Sequence, residues 1–160
     1  MIEFGQQCND GQYVKKMQWL ERRRYGLVNL RCYCSDGHTF TMTGYKHNEQ
    51  SSDAWNVALA CNNGFSKMIS TSFASRGVMD VQVSCFDSKR FISSNNFTEE
   101  GKAGHPDDAG TINTVKGCPY RSKIVGFETR TLSQYGIVNY RFICKGNTSR
   151  MIKKNLIHLI

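Results

Sequence analysis

Three stretches of the chain alternate apolar and polar residues with a period of two: VNLRCYC (28–34), MDVQVSC (79–85) and VNYRFIC (138–144). In the first, Val28, Leu30, Cys32 and Cys34 fall on one side and Asn29, Arg31 and Tyr33 on the other. The second sets Met79, Val81, Val83 and Cys85 against Asp80, Gln82 and Ser84, and the third sets Val138, Tyr140, Phe142 and Cys144 against Asn139, Arg141 and Ile143. Such alternation predicts a β-strand with one buried and one wet face. The β-branched and aromatic content agrees. A second strand-like run precedes each stretch, clearest in KIVGFETR (123–130). Gly26, Gly77 and Gly136 sit where the two runs join, as a turn with positive φ or a close backbone approach requires.

The three stretches are copies. YGLVNLRCYC (25–34), RGVMDVQVSC (76–85) and YGIVNYRFIC (135–144) align without a gap. Each closes a unit that a cysteine opens, at Cys8, Cys61 and Cys118, the opening and closing cysteines lying 26, 24 and 26 positions apart. Repetition at this period predicts equivalent supersecondary units. Each link between units begins with a short apolar run, around TFTM (39–42) and RFI (90–92). Each ends with another, at 55–60 and 112–115. Every unit therefore supplies roughly four short strands. No long helix is predicted. Residues 1–7 read as a lead-in, and the basic and apolar tail 146–160 as a loosely held terminus outside the repeats.

A chain of 160 residues with 39% hydrophobic content and only 2 prolines suits one folded domain, here 1–145. No apolar run is long enough for a membrane span. The net charge of +8, from 21 basic and 13 acidic residues, favours polyanionic partners such as sulfated glycans, acidic matrix or nucleic acid. Arg22, Arg23 and Arg24 form the densest basic cluster, beside Tyr25. No basic stripe recurs in the other units, so no specific nucleic-acid partner is expected.

Seven cysteines without a C-x-x-C pair fit disulfides better than zinc, and disulfides imply an oxidising compartment. Equivalent cysteines should do equivalent work, which gives Cys8–Cys34, Cys61–Cys85 and Cys118–Cys144. Chain entropy allows each about 3 kcal/mol. Cys32 is left over. Its counterparts are Val83 and Phe142, so a buried free thiol is expected, with a Cys8–Cys32 bridge or an intermolecular one as the alternatives. The sequons at Asn96 and Asn147 predict glycosylation. Residues 1–7 lack the features of a signal peptide, so a secreted protein is expected whose leader is not in this chain.

Catalytic chemistry is hard to find. Glu99, Glu100, Asp107 and Asp108 share one polar loop with His105, where solvated charge is the expectation. His38, His47 and His158 show no ligand spacing, and neither metal nor cofactor is predicted. Trp19 and Trp55 are expected in the core. Tyr25 and Tyr135, beside the turn glycines, are the candidates for stacking on sugars, with Asn29 and Asn139 hydrogen-bonding hydroxyls.

The sequence resembles the vitelline membrane outer layer protein I family. The resemblance is carried by CNNGFSKMIS (61–70), VQVSCFD (81–87), LRCYCSDG (30–37), Trp55 ahead of Cys61, and YRFICK (140–145). The family's Asp-Asp-Thr-Ala-x-Asn segment is reduced here to the Asn or Asp at 29, 80 and 139. The resemblance implies an all-β fold, a β-prism of three Greek-key sheets with pseudo-threefold repeats. It also implies an extracellular matrix or egg-coat-like protein that binds glycans or acidic matrix and is largely structural. The alternative it carries is an enzyme acting on amino-sugar oligosaccharides, with no catalytic residues to transfer. A weaker resemblance is to dermatopontin-like adhesive matrix proteins, whose Asp-Arg-x-Trp tryptophans are absent.

Overall fold

Each cysteine-bracketed unit folds around one long antiparallel hairpin. The computed structural model describes residues 5–22, 26–43, 53–55, 58–73, 78–86, 91–93, 111–119, 121–132, 136–146 and 157–159. The hairpins are β2 (Val14–Arg22) with β3 (Gly26–Cys34), β7 (Phe65–Phe73) with β8 (Val78–Cys85), and β11 (Ser122–Leu132) with β12 (Gly136–Gly146). The turn glycines take positive φ where they are described, 102° at Gly26 and 77° at Gly136. At Gly136 a Cβ would also lie 2.9 Å from the Leu27 carbonyl oxygen.

Short strands flank the hairpins. The first sheet runs β4 (Thr39–Thr43), β3, β2, β5 (Asp53–Trp55), with β6 (Leu59–Ala60) also on β2. The second runs β10 (Thr111–Gly117), β7, β8, β9 (Phe91–Ser93). In both, the fourth strand returns to lie beside the first, which is a Greek key. The third sheet runs β1 (Gln6–Gln7), β11, β12, β13 (Ile157–Leu159). Two expectations change here. The lead-in supplies the returning strand of the last sheet. The tail, expected outside the repeats, supplies its other edge, with Leu159 in register with Ile143. Three sheets, each with one apolar face, close on a common core and make a β-prism.

The copies share two β-bulges. Pairing skips Lys15, Ser66 and Val125 near the start of each hairpin. The carbonyls of these residues accept from the N–H of Cys61, Cys118 and Cys8 respectively, at 2.8, 2.8 and 2.9 Å. Each unit thus docks the opening cysteine of the next, and the third docks that of the first. The second bulge skips Val28, Met79 and Val138. Alternation holds from Leu30, Val81 and Tyr140 to the cysteines, as the sequence predicts. Above the bulge the core side chains are Leu27, Val78 and Ile137, one position earlier than a strict period of two requires.

The core stacks in matched layers. Register makes Trp19 equivalent to Ser70 and Thr129, and all three are buried. One indole and two small hydroxyl side chains fill a layer that three indoles would overpack. The Tyr140 hydroxyl donates to Ser70 Oγ at 3.1 Å, joining the third sheet to the second. Burial pushes the Tyr140 phenol up to about 12. At the cystine end, the equivalent residues Tyr13, Gly64 and Lys123 meet. Lys123 Nζ stands 4.1 Å from the Tyr13 ring centre and 4.6 Å from that of Phe86. A Cβ on Gly64 would come within 3.1 Å of both Tyr13 and Lys123. The disulfides are Cys8–Cys34, Cys61–Cys85 and Cys118–Cys144, and Cys32 is a buried free thiol whose ionisation burial opposes.

Candidate functional site

With the apolar side of each hairpin turned inward, the outer face of each sheet carries what is left. In the third sheet that face presents Glu128 and Arg130 from β11 and Asn139 and Arg141 from β12. Cross-strand pairing sets Glu128 opposite Arg141 and Arg130 opposite Asn139. Together with the Thr129 and Tyr140 segments they line an open groove of about 240 Å3. Arg141 Nη2 donates to Glu128 Oε2, and this pair is half open to solvent on the arginine side. Arg130 is exposed.

A residue from the neighbouring sheet completes the arrangement. Described β13 pairs only with Ile143, Cys144 and Lys145, whereas β4 accompanies β3 up to Asn29. The Tyr140 carbonyl accepts instead from Lys116 Nζ of β10. The same ammonium donates to Asn139 Oδ1 at 3.2 Å and lies 4.3 Å from the Tyr140 ring centre. Loss of water around the half-buried Lys116, and then repulsion from Arg141, lower its pKa. Asn139 Oδ1 also accepts from the Tyr140 N–H at 2.8 Å.

The first sheet offers the same positions with other contents. Arg31 stacks 4.1 Å from the centre of the Trp55 ring, and Lys16 lies 4.5 Å from that of Tyr33. Tyr33 Oη donates to Gln18 Oε1 at 3.3 Å. Trp55 is therefore not a core residue; β5 holds it half-buried on the outer face. Arg22 is not a surface cation. It donates two 2.8 Å hydrogen bonds, from Nε and Nη2, to Asp53, with side-chain exposures of 5% and 0%. The basic cluster of the sequence thus loses its first member to a buried ion pair.

Of the predicted site residues, Asn139 lies in the groove and Asn29 is half-buried at the equivalent place in the first sheet. Tyr25, Tyr135, Asn96 and Asn147 lie outside the described residues, as do His105, Glu99, Glu100, Asp107 and Asp108. His38 sits exposed in the turn after Cys34, its N–H donating to Asp36 Oδ1 at 3.1 Å. That bond, helped by Asn9, holds the Asp36 carboxyl below its ordinary range. No group of three or more His, Cys, Asp or Glu gathers among the described residues, and no helix among them is long and apolar enough to cross a membrane.

Sequence reading missed Glu128, Arg130, Arg141 and Lys116. The first three carried a signal, because each falls on the wet side of a predicted strand. Lys116 carried none, since it belongs to the strand before Cys118 and meets Asn139 only across a seam between sheets.

No family model matches the sequence, and no curated protein is similar to it. The resemblance to the vitelline membrane family thus gains no match, while the fold it implied is present. Among solved structures, the chain is similar to the agglutinin of Calystegia sepium, with a TM-score of 0.55 at 11% identity. The likeness covers 91% of this chain and 96% of the agglutinin. It is a likeness of fold, the three-sheet β-prism.

Proposed function

We propose that the protein is a secreted, largely structural component of an extracellular matrix or coat that binds glycans through the outer face of its third sheet. The observation that supports this most is the open groove in which Arg130, Asn139, Arg141 and Glu128 present hydrogen-bonding groups from two rigid strands. Side chains fixed on paired strands bind with little ordering cost. The agglutinin shares the prism, and its name is that of a protein that clumps cells. Three disulfides favour an oxidising compartment. Binding is favoured over hydrolysis because a glycosidase needs two carboxylates across the bond, and among the described residues lining the groove the one carboxylate is Glu128, already paired with Arg141.

A glycan array probed with the oxidised protein tests the reading. Binding to a restricted set of glycans is expected, and it should fall when Asn139 is replaced by Ala. An array with no signal at high protein concentration and low salt would remove it.

A further inference from the structure

The groove is rich in donors and short of acceptors. Asn139 Oδ1 is engaged by Tyr140 N–H and Lys116 Nζ, which leaves the amide's NH2 as its outward end. Glu128 is engaged by Arg141. Arg130 is exposed and has no acidic partner among the described residues. Two arginines, Arg130 and Arg141, thus line the groove with one carboxylate, and Lys116 adds a third cation behind Asn139. Sugar hydroxyls donate as well as accept, and the side-chain acceptors here are few: Asn139 Oδ1 is doubly engaged and Glu128 already uses Oε2, so donors outnumber the acceptors a neutral sugar needs. A carboxylate or sulfate only accepts, and a guanidinium can hold either with two parallel bonds.

We propose that the groove takes one acidic sugar residue, presenting a uronate carboxylate or a sulfate ester, with Arg130 as the anchor and the Asn139 amide and Arg141 as second donors. This rests on the glycan-binding reading above and narrows it to a substrate class. The volume of about 240 Å3 is below that of pockets for drug-sized ligands. It suits a single ring of a chain that continues into solvent. Lys116 acts behind Asn139. It fixes the amide so that NH2 faces the ligand, and an arriving anion offsets the repulsion between Lys116 and Arg141.

The test measures binding of the oxidised full chain at physiological salt, where long-range attraction is screened. The probes are a heparin oligosaccharide, its desulfated form, its carboxyl-reduced form, a neutral chitooligosaccharide and inorganic polyphosphate. The acidic oligosaccharide should bind, and Arg130→Gln should weaken it about tenfold, as loss of a charged hydrogen-bond pair implies. Lys67→Gln removes the same charge from an exposed position on the second sheet and should change binding less than about twofold. The modified form that loses affinity identifies which acid group is held. Equal weakening by the two variants, or polyphosphate binding as tightly as the oligosaccharide, would overturn the proposal in favour of net charge alone. Equal binding of neutral and acidic sugars would overturn it while leaving glycan binding intact. Failure of every glycan would remove both.

Discussion

The outer faces of the first and third sheets are built on nearly the same closing strand, YGLVNLRCYC against YGIVNYRFIC, yet they do opposite things with their cations. In the first sheet, Arg31 and Lys16 lie on aromatic rings and Arg22 is locked to Asp53. In the third sheet, Arg130 stands open beside a groove. The difference comes from the fourth strand. β5 runs against Leu20, Glu21 and Arg22 and brings Asp53 and Trp55 onto the face. The equivalent strand of the third sheet, β1, is described only against Phe127 and Gly126, so on the side of β11 away from β12 no described strand reaches Arg130. A shared strand therefore fixes the scaffold, and its neighbours decide whether the outer face is closed or available.

The largest expected break in that contrast comes from the ion pairs. Asp53→Ala takes from a buried guanidinium the carboxylate that it binds twice and should cost about 3–5 kcal/mol in denaturant unfolding. Glu128→Ala removes the partner of a half-exposed arginine and should cost less than about 1 kcal/mol. Similar losses from both would show that the first sheet is not closed in the way described. Tyr140→Phe should cost about 1 kcal/mol, because it deletes the buried hydroxyl that reaches Ser70 while the groove keeps its shape. A change in glycan affinity larger than the change in stability would place that hydroxyl in binding instead. Trp55→Leu should cost about 0.5–1 kcal/mol beyond its lost area, the cation–π part, and a Trp55→Leu/Arg31→Ala cycle isolates it.

The smallest effect is in pH dependence. Lys116 holds its proton less well folded than unfolded, so between its lowered pKa and the ordinary lysine value the unfolded chain binds more protons. Stability should therefore rise with pH through that window. Lys116→Met should flatten this rise, and an unchanged alkaline slope would argue that the ammonium is better solvated than its contacts suggest.

Much of the architecture was legible in the chain. Three copies of one alternating strand gave the three hairpins, and equivalent cysteines gave the three disulfides and the leftover Cys32. The phase at Leu27, Val78 and Ile137 was not legible, because a bulge adds a residue without changing composition. Nor were the roles of Gln6–Gln7 and Ile157–Leu159, since two or three residues carry no period of their own and their partners are far along the chain. The groove was half legible. Asn139 stood out as a repeated position, and Lys116 could not, because a seam between sheets brings together residues that no local pattern links.

The carbonyl of Val125, which accepts from Cys8 N–H, has a consequence in time. During synthesis the strand at Gln6–Gln7 emerges more than a hundred residues ahead of its seat on Gly126 and Phe127. At about 5–20 residues per second that is a wait of about 6 to 24 seconds. The hairpin of β2 and β3 is complete long before then, and oxidation of Cys8 to Cys34 can keep the segment tethered beside it. On this account the first disulfide holds Gln6 and Gln7 within reach of a partner strand not yet made.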